Sequence, residues 1–345
     1  MPKHGPSSCL NVVYISIIAI ALVWLITSLF KNFPGRDILD ISEFTGGKTL
    51  KIIIGIAYMT LLIMLTTSII KSLSETLRAI YFKTSPILFI TLFFIISSFI
   101  CNRFSLKVIA KANLIISPII FLSIIIILAS SIKNFIPERI FPILGYGVNE
   151  TFFSGLSNLF SFSGLLYLLF LPPLLDKPDK FKRMSIIAIT ISAIYLLLSV
   201  ACLLLSFSFT LHSDESFSLY VLTRNLEYGR FFQRVDALFI LVWIMAIISY
   251  INIPISLCIY LFKKLTNISN TNSINYSINI LILAISIIPI EYAIFTNIIS
   301  PIVQNSFLIL FFVITIPILI IANIKLKLKK SRKELYHNLK NIQNA

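Results

Sequence analysis

Long apolar runs, separated by short segments that hold nearly all of the charge, dominate this chain. The runs fall at positions 10–30, 50–70, 85–101, 108–130, 151–175, 185–209, 235–262, 278–296 and 301–324. A helix needs about 20 largely apolar residues to cross a hydrocarbon core roughly 30 Å thick, so the pattern predicts about nine transmembrane helices. Segments of strict apolar–polar alternation, the mark of a membrane barrel, do not stand out. Isoleucine is the dominant residue. Its β-branching lowers helix propensity in water, but in lipid an unbroken apolar run satisfies its backbone only as a helix. The expected fold is an all-α integral membrane bundle.

Composition agrees: 57% apolar and 12% charged residues leave too little polar surface to cover soluble domains. A formal charge of +15 would suit nucleic acid, yet the cations sit between the apolar runs, which argues against such a partner. Their placement sets orientation instead, because cytoplasmic loops retain Lys and Arg. Lys325, Lys327, Lys329, Lys330, Arg332, Lys333 and Lys340 put the C-terminus inside. Counting back, Lys31, Arg36, Lys48, Lys51, Arg103, Lys107, Lys180, Lys182, Lys263 and Lys264 also fall inside, and the inner segments hold about twice the cations of the outer ones. An external N-terminus results, which suggests a further span ahead of Leu10. Residues 1–325 read as one polytopic membrane domain and 326–345 as a basic cytoplasmic tail, whose pattern suits either a short amphipathic helix on an anionic membrane face or a merely solvated charged tail.

Cys9, Cys101, Cys202 and Cys258 lie in or at the ends of apolar runs without a CxxC pair, and His4, His212 and His337 lie outside the spans. Neither a metal site nor a Cys/His nucleophile is expected. With no phosphate-binding loop, GxGxxG or HExxH motif, no catalytic residue and no cofactor are expected. Binding or translocation of a solute is the remaining chemistry.

The fifth run differs from the others. Ser154, Gly155, Ser157, Asn158, Ser161, Ser163 and Gly164 make it small and polar, and Pro172 and Pro173 close it. An interrupted helix of this kind exposes half-helix ends to a solute near the membrane midplane; Ser157, Ser161 and Gly164 at helical spacing also fit a tight packing seam. Among charges within or beside spans, Glu75 and Arg78 stand at i, i+3 and should pair, with a structural or gating role. Asp236 suits the positive end of the seventh helix. Asn252 and Pro254 mark a kink in that span.

Several motifs in order resemble a known family. They are Asn32-Phe-Pro-Gly-Arg36, Ser74-Glu-Thr-Leu-Arg78, Phe141-Pro-Ile-Leu-Gly-Tyr-Gly147, Asn158-Leu-Phe-Ser-Phe-Ser-Gly164 and Arg234-Val-Asp-Ala-Leu-Phe-Ile-Leu-Val-Trp243. Together they resemble the permease-like B subunits of spore germinant receptors, distant relatives of amino acid/polyamine/cation transporters. The resemblance implies a LeuT-type inverted-repeat helix bundle, with the visible spans as its second to tenth helices and the usual first helix missing. It implies ligand-lining roles for Asn158, Ser161, Phe162, Ser163, Gly164 and Tyr167, and weaker ones for Tyr58, Thr60, Trp243 and Ser249. It further implies a sensor of a small nutrient such as an amino acid, in the spore inner membrane, with a large A subunit and a lipoprotein C subunit as partners. The alternative is an ion-coupled amino acid transporter; no deep carboxylate is evident, which favours the receptor.

Overall fold

The computed structural model describes residues 7–141, 144–145, 147–175, 178–206, 235–268, 270–288 and 294–343. The first half contributes helices α1 (Ser8–Phe30), α2 (Ile38–Ile80), α3 (Ile87–Cys101), α4 (Leu106–Ser130) and the short α5 (Leu165–Leu168). The second contributes α6 (Phe181–Ser206), α7 (Val235–Thr266), α8 (Thr271–Ile287), α9 (Ser300–Leu308) and α10 (Ile316–Gln343), and no strand occurs among the described residues. Among the described residues six helical stretches are long and apolar enough to cross a membrane, and α3 and α8 are shorter apolar helices. The chain is an all-α membrane helix bundle. Each apolar run expected from the sequence meets a helical element, with 151–175 forming something other than one continuous helix.

Local chemistry explains the boundaries. Asp37 caps α2 by accepting from the Asp40 N–H at 3.0 Å, while the Asp40 carboxylate accepts from the Asp37 N–H, a reciprocal capping box. Ten residues later Gly47 adopts φ 77° and ψ −170°, a conformation that favours glycine, and bends the helix there. The bend separates a polar first segment from the span expected at 50–70. It also frees carbonyls, and the Lys325 ammonium donates to those of Phe44 and Thr45 at 3.2 and 3.1 Å. Pro118 lies within α4 and Pro254 within α7. The C-terminal rod passes from a π-helical turn (Phe295–Ile299) through α9 and a second π-helical stretch (Ile309–Thr315) into α10. α10 continues without a break to Gln343, so no change of element marks the expected tail boundary.

Pairing between helices is regular. α1 packs on α6, α2 on α7 and α3 on α8; α4 packs on α7 as the C-terminal rod packs on α2. Exchanging α1 with α6, α2 with α7, α3 with α8 and α4 with the rod leaves this pattern unchanged, as two equivalent halves would require. The segment 149–168 packs on α1 and α9, and the short turns Ser131–Asn134 and Pro137–Ile140 pack on α6.

Segments expected inside do meet at one end of the bundle. Asn32 donates to Asn323 at 2.7 Å, Lys182 donates to Ser28 at 3.1 Å, and Lys264 donates to Asp37 at 2.8 Å. At the other end the Arg139 guanidinium binds the terminal carbonyls of α6, Leu205 at 3.2 Å and Ser206 at a shorter distance.

Candidate functional site

Small and hydroxylic residues compete poorly for regular α-helix, because serine side chains offer the backbone local alternatives. The segment accordingly begins as a π turn (Asn149–Phe153), tightens into a 3₁₀ helix (Ser154–Phe162) and ends in α5. A 3₁₀ helix eclipses side chains every third residue. Leu159, Phe162 and Leu165 are therefore buried in line, while Asn158, Ser161 and Gly164 form a second line in which Ser161 and Gly164 are exposed. The interruption expected in this run takes the form of a tightened turn. Backbone bonds from Leu166 to Ser163 and from Tyr167 to Gly164, both 3.0 Å, occupy these carbonyls, so the tightened turn satisfies groups an extended break would present.

Asn11 holds this segment to α1. Its buried side chain donates to the Thr151 carbonyl and accepts from Asn158 Nδ2, each at 2.8 Å. Gly155 makes the approach possible, since a Cβ there would stand 2.0 Å from Asn11 Nδ2.

A layer of aromatic hydroxyls lies beside the segment. Ser163 Oγ and the Tyr250 hydroxyl share a hydrogen bond of 2.8 Å, and the Tyr167 and Tyr250 rings are 6.3 Å apart. The Tyr167 hydroxyl is buried, in electrostatic reach of Tyr250 and Cys258, without a well-formed hydrogen bond. Tyr58, fully buried on α2, meets Phe170 edge-on at 5.3 Å. Thr315 Oγ1 donates to the Leu310 carbonyl at 2.9 Å within the second π stretch, which leaves its oxygen to accept from the Tyr58 hydroxyl.

Next to this layer a cavity of about 330 Å³ opens between α2, Phe160, α7 and the start of the C-terminal rod. Ser68, Ser72 and Thr76 line it at one-turn intervals on α2, with Thr296 and Ser300 opposite and Trp243 as an aromatic wall. Trp243 is fixed by stacking on Phe239, with ring centroids 6.0 Å apart. Helical rise places it about 32 Å from Lys264 along α7, so the cavity lies at the end opposite the Lys264 cluster. Among the described residues its lining carries hydroxyls and aromatic rings and no ionisable side chain. Lys71, directly before Ser72 on α2, donates to the Ile288 carbonyl at 2.7 Å and lies 5.7 Å above the ring of Phe295, itself part of the cavity wall. Glu75 and Arg78 pair at 2.8 Å, as their spacing predicts.

Of the sequence candidates, the structure gathers Phe162, Ser163, Tyr167 and Tyr58 in or beside the buried layer and puts Trp243 in the cavity wall. Asn158 is used in the Asn11 contact. Thr60, two residues beyond Tyr58, lies about 200° around the helix and is exposed. Ser249 contributes its carbonyl, which accepts from Asn113 at 3.3 Å. Asp236 lies in the first turn of α7, and its side chain falls outside the described residues.

Sequence reading missed Asn11, Tyr250 and the cluster of Asp37, Asp40, Tyr260 and Lys264. In that cluster the Lys264 ammonium donates to Asp37 at 2.8 Å and Asp40 at 2.7 Å, and the Tyr260 hydroxyl donates to Asp37 at 2.6 Å. A polar Asn inside the first apolar run, and an Asp directly after Asn32-Phe-Pro-Gly-Arg36, were the available signals. Among the described residues no group of His, Cys, Asp and Glu could hold a metal ion.

Comparison with known families matches residues 3–293 to a family model described as spore germination protein. No curated protein matches the chain.

Proposed function

The chain belongs to the spore germination protein family, whose members are permease-like membrane proteins, and from that premise we propose that it is the nutrient-sensing subunit of a spore germinant receptor. In this reading it sits in the spore inner membrane, works with a large A subunit and a lipoprotein C subunit, and recognises a small nutrient such as an amino acid. The observation that carries the reading is the cavity of about 330 Å³, a size suited to a small solute, with Ser68, Ser72 and Thr76 offering hydrogen bonds and Trp243 an apolar surface. Binding there would bridge α2, α7 and the C-terminal rod. A ligand acts on such a bundle only by favouring one of two arrangements, and a site between helices of both halves gives it that leverage.

A second reading, ion-coupled amino acid transport, draws support from the interchangeable pairing of the two halves, which suits alternating access. The hydroxyl-and-aromatic lining favours the receptor, because proton coupling calls for an ionisable group at the solute.

The test is a dose response of germination in spores carrying Ser72→Leu or Trp243→Ala at normal protein abundance. Filling the cavity or removing its wall should raise the half-maximal nutrient concentration at least tenfold. Unchanged dose responses in both variants would reject the cavity as the nutrient site.

A further inference from the structure

A second cavity, of about 430 Å³, opens at the other end of the bundle, where α1 ends and α6 begins. Lys31, Lys182, Ser28 and Asp179 line its polar side, with the Phe30 and Phe181 rings, 6.3 Å apart and edge to face, among its apolar walls. We infer that this cavity binds the phosphate headgroup of an anionic phospholipid whose acyl chains lie along the exposed surface of α1.

Three features point to a lipid. The charge balance comes first: among the described lining residues two ammonium groups against one carboxylate leave one net positive charge, which matches a phosphodiester. The second is the arrangement around Lys182. Its ammonium donates to Ser28 Oγ at 3.1 Å and stands 4.7 Å above the Trp24 ring, so the cation is held in place and the serine hydroxyl keeps its own proton to donate. Amphipathic Trp rings collect at the headgroup level of a bilayer, and here the ring sits directly under the cation.

The third feature is the stripe that leads away from the cavity. Ile17, Ala21, Trp24, Ser28 and Lys31 recur at helical spacing on α1, and Ile17 and Trp24 are 64% and 55% exposed. The stripe grades from apolar to cationic toward the cavity, as an amphiphile does from chain to head. A soluble phosphate would use the lysines alone and gain nothing from the stripe. Basic pockets between transmembrane helices at this level bind anionic headgroups by the same logic.

The test uses the full chain purified in detergent, with bound lipid read by native mass spectrometry. Phosphatidylglycerol and phosphatidylcholine of identical acyl chains are compared, and soluble glycerol phosphate is added as competitor. Two lysines near the headgroup should favour phosphatidylglycerol by roughly thirtyfold, the preference should vanish in Lys31→Gln/Lys182→Gln, and it should persist in Lys107→Gln. A Lys31→Arg/Lys182→Arg variant, which keeps the charge, should restore it and shows that any loss is not a failure to fold. Equal occupancy by both lipids, or a preference that survives the double Gln substitution, would overturn the inference. Displacement of the lipid by glycerol phosphate at equal concentration would also overturn it, in favour of a soluble phosphate.

Discussion

The Lys264 ammonium lies 2.8 Å from Asp37 Oδ2, and that carboxylate has no solvent exposure. One side chain ends a helix of the second half and the other caps a helix of the first, so the contact ties α7 to the start of α2. Replacing Lys264 by Met would leave Asp37 charged and buried with only neutral donors. The expected cost is about 3–5 kcal/mol, seen as a lower thermal midpoint of the purified protein. Asp37→Asn combined with Lys264→Met should recover most of the loss, and a double variant no better than the single would show that charge pairing is not the stabilising element.

Gly155→Ala tests the seam between α1 and the 3₁₀ segment. The added methyl would collide with the Asn11 amide at 2.0 Å and displace its bonds to Thr151 and Asn158. A loss of about 1–3 kcal/mol follows for overpacking, with reduced abundance in membranes. Asn11→Ala in the same chain makes room and should restore part of it. Wild-type abundance in Gly155→Ala would mean that the seam yields freely.

Gly164 gives the opposite expectation. A Cβ there meets only Tyr167 Cδ2, at 3.9 Å, and the local φ of −55° suits any residue. Gly164→Leu should therefore accumulate normally and co-purify with its partners, while the bulk beside Tyr167 shifts the nutrient response to higher concentration. Loss of abundance would favour a packing seam formed with a partner. An unchanged dose response would remove the line Asn158, Ser161 and Gly164 from the sensing surface.

Purified protein in vesicles should not concentrate radiolabelled amino acids under a proton or a sodium gradient, because the described residues of the cavity lining offer hydroxyls and rings but no carboxylate. Robust coupled uptake would replace the receptor reading with the transporter.

Hydrophobic run length made most of the fold legible, since a lipid environment leaves long apolar runs few alternatives to helix. The run at 151–175 needed more than its length, and its serines and glycines announced the irregularity without saying that it would be a 3₁₀ turn of period three. The site was less legible, because a position within a span does not give its face. Tyr58 and Thr60 lay equally close to the expected pocket, yet one is buried and the other exposed. The Asp37 cluster escaped notice because its members are far apart in the chain and each had a sufficient local explanation: Asp37 as a cap, Lys264 as an inner-loop cation. The hydroxyls of Ser68, Ser72 and Thr76 looked like ordinary span residues until Trp243 and Ser300 were placed opposite them.

The pairing of α1 with α6, α2 with α7 and α3 with α8 has a consequence for biosynthesis. Each of these three first-half helices finds a main partner only once the second half is being made, α1 with its first helix and α2 and α3 later. Asp37 and Lys264 are separated by 227 positions. At about 5–20 residues per second the ribosome needs roughly 10–45 s to cover that distance. During this interval α2 waits in the bilayer with the carboxylate at its end uncompensated. The early helices are thus the ones most dependent on insertion factors and lipid for company, and chains halted before α7 should be cleared by membrane proteases as orphans.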